Sequence, residues 1–385
     1  MKKFLFSLLT AVMLLSLTAC TSKQNAEGNS SAIPNNNGTA VNAEDADKRN
    51  EANTEEEVNA ETIASNYENA KPEMVAVNTL NGQSESVELV VPYDPQKIVV
   101  LDMAVLDIID ILGLGDRVVG VADSSNVEYL KGYMEKDGVV NVGTVKEVDL
   151  EKIMACEPDV IFIGGRLAAS YDALSEIAPV IYLTTDTELG VVESTRKNAN
   201  SIASIFGKEA EADAMFADFD ARIEALKEIA AGKTAVIGMC TNGGFNLLGN
   251  NGRCSIIGVE IGFDNLGNDA AGASLEKGGN GEKAKGEDSK GSDSNSSAHG
   301  NESSFELVVA LKPDYIFVMD RDAAIATNGA KLAKEIMENE LRVNTDAYKN
   351  GNLVILEHPG VWYLAEGGVN ALNIMITDLE NALLK

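Results

Sequence analysis

Residues 151–166 read EKIMACEPDVIFIGGR, and residues 306–321 read ELVVALKPDYIFVMDR. Glu, Ala, Pro-Asp, Ile-Phe and Arg stand at the same offsets in both stretches. Each predicts the same unit. A short amphipathic helix starts near the Glu and stops near the Pro, because the ring blocks the preceding turn and the residue before it avoids the helical region. An apolar β-rich run follows, Val160 to Ile163 and Tyr315 to Met319, with an Arg just past its end. In open α/β sheets ligands bind beyond the carboxyl ends of strands. The duplication therefore predicts two similar α/β lobes, each offering one Arg (Arg166, Arg321) to a ligand and each carrying a Glu (Glu151, Glu306) at the other end of the motif.

Working outward, Lys97 to Asp102 and Val118 to Val121 read as buried strands, with a helix from Met103 to Leu112 closed by Gly113. A further strand, Val180 to Leu183, completes a first lobe over 79–191. Apolar residues from Ile202 to Ile229 recur at helical spacing, so 192–231 is expected to be a long connecting helix, broken near Gly207. The second lobe spans 232–385, from a strand at Thr234–Met239 to a helix at Val369–Leu384. Within it, residues 277–297 are Gly, Ser, Asn and charge with almost nothing apolar, a low-complexity insert read as a tolerated surface excursion or, alternatively, a lid.

The chain carries 385 residues and a formal net charge of -29, which excludes nucleic acid as a partner because a phosphate backbone needs a basic face. Residues 1–20 have the form of a lipoprotein signal peptide. Lys2 and Lys3 precede an apolar run, and Leu17-Thr18-Ala19-Cys20 resembles a bacterial lipobox, so Cys20 is the expected lipid-bearing N-terminus; a plain secretory signal or a signal anchor is the alternative. Residues 21–78 read as a disordered acidic tether. The localisation that follows is the extracytoplasmic face of the cell membrane, with the protein a monomer. Cys156, Cys240 and Cys254 are irregularly spaced and form no disulfide framework; Cys156 reads as a buried thiol. The signatures G-x-S-x-G, H-E-x-x-H and C-x-x-C are absent, and with only His299 and His358 the chain cannot supply an ordinary catalytic zinc site, so no enzyme is expected.

These features together, with Asn141-Val-Gly-Thr144, Asp320-Arg321-Asp322, His299-Gly300, Ala347-Tyr-Lys-Asn-Gly351 and Trp362-Tyr363-Leu364, resemble the siderophore-binding lipoproteins of bacterial iron ABC importers, and most nearly the catecholate and petrobactin binders. The resemblance covers about Pro92 to Lys385. It implies two Rossmann-like lobes joined by a long helix, the class III substrate-binding architecture, with the ligand in the cleft between. It implies further that Arg166, Arg253 and Arg321 meet a ferric siderophore, although the Cys that follows Arg253 replaces the family's more usual aromatic. Guanidinium suits such a complex, being always charged, planar and able to stack on catechol rings. His299 and Tyr363 become candidate direct iron ligands, or else a solvated loop histidine and a tyrosine packed on the core. Glu151 and Glu306 become candidate contacts to the two halves of the permease, which works with its ATPase; the alternative for both is a helix N-terminal Glu favoured by the macrodipole. His358 is expected to end a strand without a partner. No cofactor is implied, the iron complex being cargo. Rival cargoes on the same architecture are haem, a corrinoid, a hydroxamate siderophore or a free metal ion. A surface interaction or sensor protein is the rival of another class.

Overall fold

In the computed structural model, which describes residues 73–268, 298–338 and 345–384, the two duplicated units lie in two separate sheets. The first sheet has the order β2-β1-β7-β6-β3-β4-β5. Its strands are β1 (Met74–Leu80), β2 (Ser86–Pro92), β3 (Ile98–Val100), β4 (Val118–Val121), β5 (Val140–Asn141), β6 (Val160–Ile163) and β7 (Val180–Tyr182). β3 to β7 run parallel, while β1 is antiparallel to both β2 and β7. The second sheet has the order β10-β8-β11-β12, formed by β8 (Thr234–Thr241), β10 (Asp264–Asn265), β11 (Tyr315–Asp320) and β12 (Leu353–Ile355), with β9 (Gly244–Leu247) antiparallel on β8.

Both copies of the motif build their unit with the same devices. The residue before the proline, Glu157 or Lys312, adopts the left-handed conformation (φ 48° and 50°) and ends its helix. The Asp after the proline then fastens the start of the neighbouring central strand. Asp159 accepts from the Gln96 and Lys97 amides at 2.8 and 2.9 Å, and Asp314 accepts from the Thr234 amide at 2.9 Å. In each sheet the motif strand lies next to the lobe's first parallel strand at the point where the order of strands reverses, between β3 and β6 and between β8 and β11. That switch point opens a crevice at the carboxyl ends, and Arg166 and Arg321 follow those ends directly.

Three expectations are corrected. The tether assigned to 21–78 ends earlier, because Met74–Leu80 pairs along its whole length with β2 and joins the sheet through Leu80 and Tyr182. The connector 192–231 is three helices, Gly190–Phe206, Glu209–Ala214 and Phe219–Ala230. Gly207 stops the first at φ 64°, with the Tyr93 hydroxyl 2.1 Å from where a Cβ would stand. The second copy's helix runs from Ala298 to Leu311, so Glu306 sits well inside it and cannot be explained by a helix N-terminus, whereas Glu151 lies in the first turn of Leu150–Ala155. Cys20 and the insert 277–297 lie outside the described residues.

The Gly190–Phe206 helix packs on β1 and also on the Ser255–Ile257 turn that follows Arg253, so it touches both lobes. The Val369–Leu383 helix lies against the Met103–Ile111 helix of the first lobe. Its amino end is capped from that helix: the buried Asp107 carboxylate accepts from the Asn370 and Ala371 amides, each at 2.9 Å. Arg222 fastens the same helix to the connector through Glu380 (2.6 and 2.8 Å), Thr377 and Asn373. Two cross-braces of this kind make a stiff frame around the cleft. Among the described residues no helix is long and apolar enough to cross a membrane.

Candidate functional site

Tyr363 is where the three arginines meet. It stands in a π-helical turn, Val361–Ala365, fixed from beneath by the fully buried Trp362. Trp362 Nε1 donates to Asp378 at 2.8 Å, and the other oxygen of Asp378 lies 2.7 Å from His358 Nδ1. His358 therefore has a firm partner, contrary to expectation: the strand end carries it onto the buried Asp378 of the last helix. The guanidinium carbons of Arg166, Arg253 and Arg321 lie 5.5, 4.4 and 5.5 Å from the centre of the Tyr363 ring. Arg166 also donates to the Tyr363 carbonyl at 2.8 Å, and Arg321 Nε donates to its hydroxyl at 3.1 Å. Arg321 is held in turn by Thr241 Oγ1 at 3.1 Å, from the end of the neighbouring β8. The sequence-predicted Arg166, Arg253, Arg321 and Tyr363 thus converge on one point. His299 lies in the first turn of the Ala298–Leu311 helix, and its side chain is outside the described residues.

Two acidic residues that the sequence did not single out complete the site. Asp102 follows β3, caps the Met103–Ile111 helix through the Ala104 and Val105 amides, and faces Arg166. Burial raises its carboxyl above the ordinary range, against the pull of Arg166. Gly164 is needed beside it, since a Cβ there would stand 2.1 Å from Asp102 Oδ2. Glu366, its side chain only 10% exposed, accepts from the Cys254 amide at 2.9 Å and lies 4.0 Å from Arg253. Burial pushes its carboxyl up to about 7, with Arg253 working the other way. Their sequence signals were faint: a strand-end Asp that doubles as a helix cap, and a Glu before the paired glycines Gly367-Gly368.

Opposing effects act on the phenol and on Arg166. Burial works to raise the Tyr363 phenol, but the Arg321 hydrogen bond and the charges of Arg321, Arg253 and Arg166 outweigh it, leaving the phenol below its ordinary value. Desolvation and the neighbouring Arg253 lower Arg166, while Asp102 supports its charge. A cavity of about 300 Å³ opens beside this cluster, lined by Arg166, Arg253, Tyr363, Asp102 and Glu366. Arg321 meets Tyr363 from the other lobe's switch point. The site is cationic and partly aromatic, and its phenol is shifted toward the ionised form. Cys254, next to Arg253, is fully buried, and burial raises its thiol well above the usual range.

Two lobes with a ligand crevice at facing switch points define a cleft-type substrate-binding protein. The chain belongs to the periplasmic binding protein family, whose model matches residues 98–359. It is 32% identical over 297 residues to the petrobactin-binding protein YclQ of Bacillus subtilis, covering 77% of this chain and 84% of that protein. The crystal structure of YclQ superposes with a TM-score of 0.66 over 82% of this chain and 100% of that one. The catecholate-siderophore binding protein VctP of Vibrio cholerae gives a TM-score of 0.63 at 26% identity, over 80% of this chain and all of that one (100%). The iron uptake ABC transporter substrate-binding protein PiuA of Streptococcus pneumoniae gives 0.65 at 30% identity, over 82% and 100%. The family and these relatives are substrate-binding transport proteins.

Proposed function

We propose that this protein captures a ferric siderophore of the catecholate type and delivers it to an ABC permease of iron uptake. The observation that carries the reading is the stacking of Arg166, Arg253 and Arg321 around one aromatic ring at 4.4 to 5.5 Å. A catecholate rim presents the same face to the same guanidiniums and adds the negative charge that a phenol lacks. The names of YclQ and VctP support that ligand class. Tyr363, with its acidified phenol, is suited to ligate iron directly where a siderophore leaves positions open. His299 is the candidate second ligand.

Capture is a binding step without covalent chemistry, and the braced connector keeps the lobe movement small. Glu151 and Glu306 are both exposed and, among the described residues, free of ion pairs, which supports their role as one charged contact per lobe to the permease. A lipid on Cys20 would hold the protein at the extracytoplasmic membrane face. The test is a titration with ferric catecholates. Binding should quench Trp362, which lies next to Tyr363 and within energy-transfer range of the coloured complex, and should raise the unfolding temperature. A panel that gives neither response sinks the ligand class. Glu151→Ala with Glu306→Ala should bind cargo normally yet fail to stimulate the permease ATPase; full stimulation would refute the docking role.

A further inference from the structure

A second cavity of about 350 Å³ adjoins the arginine site. The two share Leu183, Thr184, Thr185, Thr187 and Asn198 in their walls, so the second, a trough, abuts the first along that stretch. The divide is thin at Gly165, beside Arg166. A Cβ there would lie 3.5 Å from Thr184 Oγ1 and 3.7 Å from the hydroxyl of Tyr182, which lines the second cavity.

The wall of this trough is already in place. Asn198 Nδ2 donates to the Thr184 carbonyl at 3.0 Å, and Ser194 Oγ both accepts from the Asp186 amide at 2.9 Å and donates to its carbonyl at 3.1 Å. The 184–187 loop is thereby fastened to the Gly190–Phe206 helix without using its own threonine hydroxyls. Among the described residues, the hydroxyls of Thr184, Thr185 and Thr187 have no hydrogen-bond partner. Among the described residues Lys197, on the far wall, has neither a hydrogen bond nor an ion pair, in a chain with 60 Asp and Glu against 31 Lys and Arg. The one carboxylate on the wall, Asp186, is engaged by the Glu188 amide at 3.0 Å. Beside that carboxylate, the wall offers a row of groups able to donate: hydroxyls and one ammonium.

We infer that this second cavity is a subsite for the oxygen-rich scaffold, amide carbonyl or carboxylate, that links the iron-binding groups of the cargo. The inference rests on the ferric siderophore reading and extends it. The arginines take the charged head, and the trough selects among ligands by their linker. An unlinked set of catechols around iron satisfies the first site and leaves the second to water. A linker carrying acceptors meets the free threonines and Lys197.

The test uses two substitutions that line the second cavity and not the arginine site. Ser201→Phe fills it without adding a second tryptophan, and Lys197→Glu reverses its charge. Two probes are titrated by Trp362 quenching: the ferric complex of free dihydroxybenzamide, and that of a linear tris-catecholamide with amide-bearing links. Wild-type protein should favour the linked complex, and each variant should lose about tenfold in affinity for it, with binding of the unlinked complex unchanged. Thermal unfolding of both variants checks the fold, and Lys197→Glu, at an exposed position, carries the test if the bulkier change misfolds. Variants that treat the two probes alike, or that lose nothing, overturn the subsite and leave the receptor reading standing. Wild-type protein that binds neither probe overturns the receptor reading itself.

Discussion

Arg321→Gln separates charge from shape at the centre of the cleft. Gln keeps a donor for the Tyr363 hydroxyl or for Thr241 but removes the guanidinium charge. The guanidinium carbon lies 5.5 Å from the Tyr363 ring centre, and a catecholate rim seated there would meet it at a similar range. At that distance and an effective dielectric near 20, two unit charges attract by about 3 kcal/mol. The trianionic complex spreads its charge around its rim, so about one unit faces each Arg. The Arg321 side chain is 23% exposed, and Asp322 stands 3.4 Å from Nη1, so part of that attraction is already screened. Keeping roughly half gives a loss of about 1.5–2 kcal/mol, a ~10- to 30-fold rise in Kd. Fluorescence titration at low and high salt reads it, with a neutral ferric trihydroxamate as reference. Salt should narrow the gap between variant and wild type, because it screens the missing charge. A Kd for the trianion within about threefold of wild type at low salt, or equal weakening for the neutral complex, refutes the electrostatic argument.

Glu366, pushed up to about 7 by burial, carries a pH signature. Its folded value lies above its unfolded one, so its contribution to stability is complete below the ordinary Glu value of 4.5 and is lost as pH rises through about 7. The ionised form also competes with cargo for Arg253, so affinity for the trianion should fall across the same window; Glu366→Gln should flatten both profiles, and a profile unchanged by the substitution would rule this out. Tyr363→Phe removes the acidified phenol, so a tetradentate ferric catecholate should lose its phenolate-to-iron absorption and bind more weakly, while a hexadentate one changes little. Equal effects on both would argue against direct ligation. Gly164→Ala places a methyl 2.1 Å from Asp102 Oδ2, and a destabilisation of about 1–3 kcal/mol is expected by chemical denaturation. An unaffected midpoint would mean that Asp102 can move aside without loss.

Much of the architecture is legible because it is written locally. The Pro-Asp pairs end helices and start strands within a few residues, and the apolar runs 160–163 and 315–319 can only be buried strands between covering helices. Arg166 and Arg321 inherit their positions from that local grammar. What stayed hidden depends on chain segments far apart. Arg166 reaches the Tyr363 carbonyl across 197 positions, and Asp107 caps the last helix across more than 260. No periodicity encodes such pairings. β1 escaped because its alternation is short and borders a polar stretch, and it is ordered by distant partners, β2, β7 and the Gly190–Phe206 helix. Glu306 was misplaced on its helix for a related reason: the helix begins in residues next to the low-complexity insert, where no apolar stripe announces it.

A net charge of -29 and an anionic cargo look incompatible, and the site shows why they are not. Surface carboxylates more than a Debye length away, about 8 Å at physiological salt, are largely screened from the cleft. Within that radius the three arginines face Asp322, Asp102 and Glu366, and burial drives the carboxyls of the last two toward the neutral acid. The same burial that weakens the acids strengthens what the guanidiniums can do for a guest. Tyr363 keeps those guanidiniums together when no guest is present, since three cations around one ring repel each other less than three cations around empty space. The cleft is therefore arranged for a charged aromatic, and capture substitutes a stronger partner for a weaker one in a frame braced by Asp107 and Arg222.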